Sequence, residues 1–106
     1  MGNKTLITKR LKSARLAAGL SQKKLGIAAG IDEFVASARM NQYETGKHIP
    51  DFSIVQKIAG VLKIPAAYFY SSDEKLAQLI KIYGELSKKQ QNQLLTYSKQ
   101  FTKHAK

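Results

Sequence analysis

Between residues 5 and 18 the apolar positions Ile7, Leu11, Ala14 and Ala18 recur at helical spacing, with lysines and arginines between them. That period predicts a helix with one buried stripe, and Gly19, tolerant of positive φ, stands where it should stop. Ser21 is placed to cap a second short helix, SQKKLGIAA, which Gly30 ends. After a loop, Ser37 is placed to cap a third helix that runs to Thr45 and stops at Gly46. A start at Asp32 is the alternative. Pro50 and Asp51 precede DFSIVQKIAGVL, in which Phe52, Val55, Ile58, Ala59 and Leu62 form one apolar stripe. Pro65 opens a short helix, PAAYFY, expected to plug the core with Phe69 and a tyrosine. Ser71, Ser72 and Asp73 read as a joint. Beyond it, Leu76, Leu79, Ile80, Tyr83 and Leu86 predict a sixth helix, a stripe wide enough to pack on the preceding ones. Ser87 can cap a seventh that carries Leu94, Leu95 and Phe101. No segment alternates as a strand bounded by hairpin turns. The expected fold class is therefore all-α, with five helices over residues 1–70 and an extension of about two helices over 71–106.

The third helix is the one whose faces differ most in chemistry. At about 100° per residue, Ala36, Met40 and Tyr43 fall on one side and define the inward face. Ala38, Asn41, Gln42 and Thr45 cluster opposite, with Ser37 at their edge, while Arg39 and Glu44 flank the apolar stripe. Asn and Gln can bond adenine edges bidentately in a major groove, and Arg and Lys hold phosphates. The alternative is a polar face turned to solvent.

Charge sharpens this. Lys and Arg number 18 against seven Asp and Glu, a net +11, which favours polyanionic partners: DNA, RNA or an acidic membrane surface. Residues 1–31 contain Lys4, Lys9, Arg10, Lys12, Arg15, Lys23 and Lys24 and no acid. An apolar share of 43% argues against wholesale disorder. The chain has no cysteine, and His48 and His104 are far apart, so neither a metal centre nor any other cofactor is expected. The segment MGNKTLITKRLK lacks the apolar run of a signal peptide and no stretch has transmembrane length, so the expected setting is the cytoplasm, without membrane contact. Scattered carboxylates and two histidines offer no acid–base or nucleophilic constellation, so no enzymatic activity is expected. RNA binding would use the same charge, but no aromatic-decorated sheet offers a stacking platform.

Taken in order, RLKSARLAAGLSQKKL, Gly30, MNQYETGKHIPD and IVQKIAGVLKIP resemble the Cro/CI (XRE) family of helix-turn-helix regulators over about residues 7–70. The most specific pieces are GLSQ, YETGK followed by Pro50, and KIAGVLKI. The resemblance implies a lambda-repressor-like domain whose second and third helices form the DNA-reading unit. By position, it implies that Ser37, Ala38, Asn41 and Gln42 face bases. Gln22, Lys23, Arg39, Thr45 and Lys47 would serve phosphates or the rim, and Arg15 and Glu44 would form a structural pair beneath the reading helix. This chain departs from the family pattern in three places. The segment IDEFVAS makes the turn four residues longer, Gly26 replaces a common alanine, and Ile27 replaces a usual polar residue. The longer turn is expected to be ordered, with Phe34 packed toward Ile27.

The implied function is sequence-specific binding of double-stranded DNA by a transcriptional repressor that reads a pseudo-palindromic operator as a homodimer. The final helix is expected to supply apolar contacts across the two-fold axis. The competing reading of residues 71–106 is that both helices fold back and complete the monomer core. A second functional reading is an antitoxin or adaptor whose C-terminal helices grip a partner protein.

Overall fold

In the computed structural model the chain is described from residue 2 to residue 103, with side chains from residue 6 onward; His104 and the end of the basic tail lie outside these residues. Among the described residues, six α-helices and one 3-10 helix follow in order: α1 (Gly2–Ala17), α2 (Gln22–Ala28), α3 (Ala36–Thr45), α4 (Phe52–Leu62), the 3-10 helix (Ala66–Tyr70), α5 (Glu74–Glu85) and α6 (Lys88–Lys103). Among the described residues there is no strand, and no helix is long and apolar enough to cross a membrane.

Local chemistry sets most of the boundaries. The Ser21 hydroxyl accepts from the Lys24 amide at 3.0 Å, and the Asp51 carboxylate accepts from that of Ile54 at 2.9 Å. The Asp73 carboxylate takes the amides of Lys75 and Leu76. Ser87 and Gln90 close a reciprocal capping box at the start of α6. Gly19, Gly30 and Gly46 all hold positive φ where helices stop. The C-cap of α4 is instead Lys63, at φ 58°, which costs an L-residue free energy that glycine avoids. Lys63→Gly is expected to raise stability by about 0.5–1 kcal/mol, measured by chemical denaturation.

The core gathers Leu11, Leu25, Met40, Ile58 and Phe69, all essentially solvent-free, with Tyr68 and Val55 beside them. The 3-10 helix thus fills the core with Phe69 and Tyr68, whose rings meet edge to face with centroids 5.2 Å apart. Two expectations on apolar residues change. Phe52 is 56% exposed, resting on Tyr70 with ring centroids 6.0 Å apart, so the α4 stripe buries only its inner residues Val55, Ile58 and Ala59.

The sixth-helix expectation changes more. Leu76, Leu79 and Tyr83 of α5 stay near half exposed, and the buried contact comes from Ala77, with Ile80 partly buried on the same cluster. A Cβ added at Gly84 would stand 2.5 Å from Pro65 Cδ. Small residues let α5 approach the 3-10 helix and Pro65 closely, and close approach turns the larger side chains outward. α6 buries no residue; the Gln91 side chain donates to the Tyr83 carbonyl at 2.9 Å and Leu94 is half-buried. The molecule is 54 Å along its longest axis, with a radius of gyration of 15.8 Å against about 13 Å for a compact chain of this length.

Candidate nucleic-acid interface

α3 is positioned from below by α1 and from the side by α2. Its inner face, Ala36, Met40, Tyr43 and Glu44, is buried. The Thr8 hydroxyl on α1 donates to the Tyr43 carbonyl at 3.2 Å. α2 packs closely because Gly26 has no side chain: a Cβ there would lie 3.0 Å from both Ala36 Cβ and Met40 Cγ. The glycine that departs from the family pattern therefore sets the distance between the two helices.

Arg15 and Glu44 meet beneath α3. Arg15 Nε donates to Glu44 Oε2 at 2.6 Å and Nη2 to Oε1 at 2.9 Å, a bidentate pair. The third guanidinium nitrogen donates to the Leu20 carbonyl at 2.8 Å. The hydrogen bond to Glu44 raises the Arg15 pKa further, so the guanidinium stays charged. Gln22 Nε2 completes the group by donating to Glu44 Oε1 at 3.1 Å. The amide expected to meet a phosphate is thus anchored from below, with its second N–H still to offer.

The outer face of α3 carries Ser37, Ala38, Arg39, Asn41 and Thr45 exposed and Gln42 half-buried, with Lys47 exposed just beyond. Lys23 is exposed on α2. Lys23, Arg39 and Lys47 enter no ion pair among the described residues. The Thr45 hydroxyl donates to the Gln42 carbonyl at 3.3 Å, so donating to a phosphate instead requires giving up that bond. A cleft of about 540 Å³ runs along one edge, lined by Arg39, Gln42, Tyr43, His48, Ile49 and Asp51. His48, passed over in the sequence, is held there by its own amide, which donates to the Gln42 carbonyl at 3.2 Å.

Two expectations at the start of α3 are corrected. Ser37 does not cap the helix: the cap position is Val35, with no side-chain bond, and Ser37 lies inside the helix. The chain enters through a turn begun at Asp32, whose carboxylate accepts from the Phe34 amide at 2.8 Å and whose carbonyl accepts from that of Val35. The four-residue extension is thus ordered by its own hydrogen bonds. Phe34 contributes no packing on Ile27; it is 91% exposed, because the turn that satisfies the backbone aims this side chain outward. Arg10, one member of the acid-free basic stretch over residues 1–31, is buried. Its bonding partner, the Ser71 carbonyl, lies 61 residues away and leaves no local signal.

Two short helices packed at close range, the second buried on one face and bearing exposed amides on the other, define a helix-turn-helix unit. A helix-turn-helix family model matches residues 11–69, and the chain belongs to this family, of the XRE type. The crystal structure of the transcriptional regulator BswR is similar, with 44% of residues identical, a TM-score of 0.80, and coverage of 88% of this chain and 92% of that one. No curated protein matches. The protein is a DNA-binding transcriptional regulator, a class that is typically not enzymatic.

Proposed function

We propose that the protein is a sequence-specific repressor in the cytoplasm that binds a pseudo-palindromic operator as a homodimer. Residues 1–70 form the DNA-reading domain and residues 71–106 the C-terminal extension that joins two copies. Ser37, Ala38, Asn41 and Gln42 read base edges from the major groove. Gln22, Lys23, Arg39, Thr45 and Lys47 hold phosphates or the rim. The observation that carries the reading is the outer face of α3, exposed amides on a helix locked from below by Arg15 and Glu44.

Selection of bound sites from random duplex DNA tests specificity and half-site symmetry together. Asn41→Ala and Gln42→Ala are then expected to weaken binding to the selected site by roughly 1–3 kcal/mol, with little change on random DNA. Lys47→Ala should weaken both alike and reduce the salt slope by about one unit. Equal losses on selected and random DNA for both amide variants would count against base readout.

The antitoxin or adaptor reading keeps one supporting observation. Leu95, Tyr97 and Phe101 on α6 are all more than half exposed, a surface that a partner protein could also cover. Co-purification with a second small protein in fixed stoichiometry, and no homodimer alone, would favour it.

A further inference from the structure

Arg10 is a buried cation that the DNA-reading face does not use. It lies on α1, 6% exposed, and makes no hydrogen bond to α2 or α3 among the described residues. Its Nε and Nη2 both donate to the carbonyl of Ser71, at 3.0 and 2.7 Å. Nη2 also stands 3.4 Å from the carboxylate of Glu74, an exposed residue in the first turn of α5. The guanidinium lies over the buried ring of Tyr68, 5.1 Å from its centroid, and Lys81 of α5 approaches the same ring at 5.9 Å. One aromatic ring thus takes a cation from each side of the joint.

Ser71 is where the 3-10 helix gives way to the joint before α5. Two N–H groups on one carbonyl fix its direction, a constraint that the compact ammonium of lysine does not reproduce. Within the joint, the Ser71 hydroxyl donates to the Asp73 carbonyl at 3.2 Å, and Asp73 caps α5. At the other end of α5, Gly84 lies against Pro65. α5 is therefore held at both ends, and the joint is not a free swivel.

We infer that Arg10 is a positioning residue that ties the DNA-reading domain to α5 and α6, and so sets the distance and angle at which two recognition helices meet the duplex. The inference rests on the reading of α6 as the dimer contact. Half-sites must lie about 34 Å apart for two recognition helices to enter successive major grooves. A tilt of about 10° over an arm of about 30 Å moves its end by about 5 Å, more than one base-pair step of roughly 3.4 Å. Loosening the Ser71 anchor costs spacing discrimination while leaving each recognition helix intact.

The test uses full-length chains and the site that the wild type selects from random duplex DNA. The two half-sites are rebuilt with the central spacer lengthened or shortened by one and two base pairs, alongside a single half-site duplex. Arg10→Met is expected to stay dimeric by light scattering and to bind the single half-site within about twofold of wild type. Its preference for the selected spacing over a neighbouring one should fall at least fivefold. Arg10→Lys should behave like Arg10→Met, and Glu74→Gln like wild type. A folded, dimeric Arg10→Met with the wild-type spacing profile overturns the inference. Should Arg10→Met not fold, Arg10→Lys and Tyr68→Leu carry the comparison, and wild-type profiles in both overturn it equally. A wild-type chain that is monomeric, or indifferent to spacing, overturns the dimer reading and this role with it. A dimeric, spacing-sensitive wild type limits any failure to Arg10 alone.

Discussion

Glu44→Gln is expected to lower the melting temperature by about 10 °C or more, and Arg15→Met by a similar amount. The side chains are 2% and 10% exposed, and the geometry is bidentate. Removing one partner of such a buried pair leaves the other charge without compensation, at a cost of roughly 3–5 kcal/mol. A surface pair would contribute only about 0–1 kcal/mol. For a domain of this size, 1 kcal/mol shifts the midpoint by about 4–8 °C. Glu44→Gln has a second consequence, because Gln22 Nε2 also rests on Glu44 Oε1. An amide in place of the carboxylate weakens that anchor and the pair together. Replacing both partners with apolar residues of similar volume should recover part of the loss, since no lone charge then remains buried. Melts followed by circular dichroism decide the matter, and single variants within a degree of wild type would make the pair ornamental.

Truncation after Lys88 is expected to convert a dimer into a monomer and to cost roughly 10²–10⁴-fold in affinity for the two-half-site operator. Binding to a single half-site should stay near its full-length value. The expectation starts from α6 burying no residue, so that removing it strips nothing from the core. It continues with what α6 and α5 leave uncovered. Leu76, Leu79, Tyr83, Leu94 and Leu95 line an apolar groove of about 470 Å³ with Pro65 and Ala67, and Tyr97 and Phe101 on α6 are also more than half exposed. A standard interface buries about 800 Å² per partner, and these half-exposed side chains are the largest apolar surface α5 and α6 offer to one. A two-fold axis would let each copy cover the other's stripe. Light scattering at micromolar concentration reads the outcome. A truncated chain that remains dimeric, or a full-length chain that is monomeric, refutes it.

Much of the fold was legible because its signals are short-range. Ser21 and Ser87, read as caps in the sequence, bond amides three residues on, and a bond of that span depends on local sequence alone. Asp51 and Asp73 cap in the same way, though the sequence reading did not assign them that role. The inward face of α3 was equally legible, since Ala36, Met40 and Tyr43 share one side of any regular helix. The start of α3 was not. Ser37 offers a hydroxyl where a cap would serve, yet the Asp32 turn satisfies the entering backbone first and leaves Val35 at the boundary.

Tertiary structure decided which of two stripes on α5 is buried. The large residues Leu76, Leu79 and Tyr83 offer more apolar area, but Ala77 and Gly84 permit the closer approach, and dispersion contacts in a dense interior reward close approach. It also decided the fate of the charges. Arg10 looks like any other member of the basic run, while Arg15 was paired with Glu44 only through the family resemblance; both are buried because Ser71 and Glu44 come within reach from distant parts of the chain. A lysine or arginine is not buried by its own sequence neighbourhood. It is buried when folding brings it acceptors that offset the loss of water, and those acceptors belong to the fold as a whole.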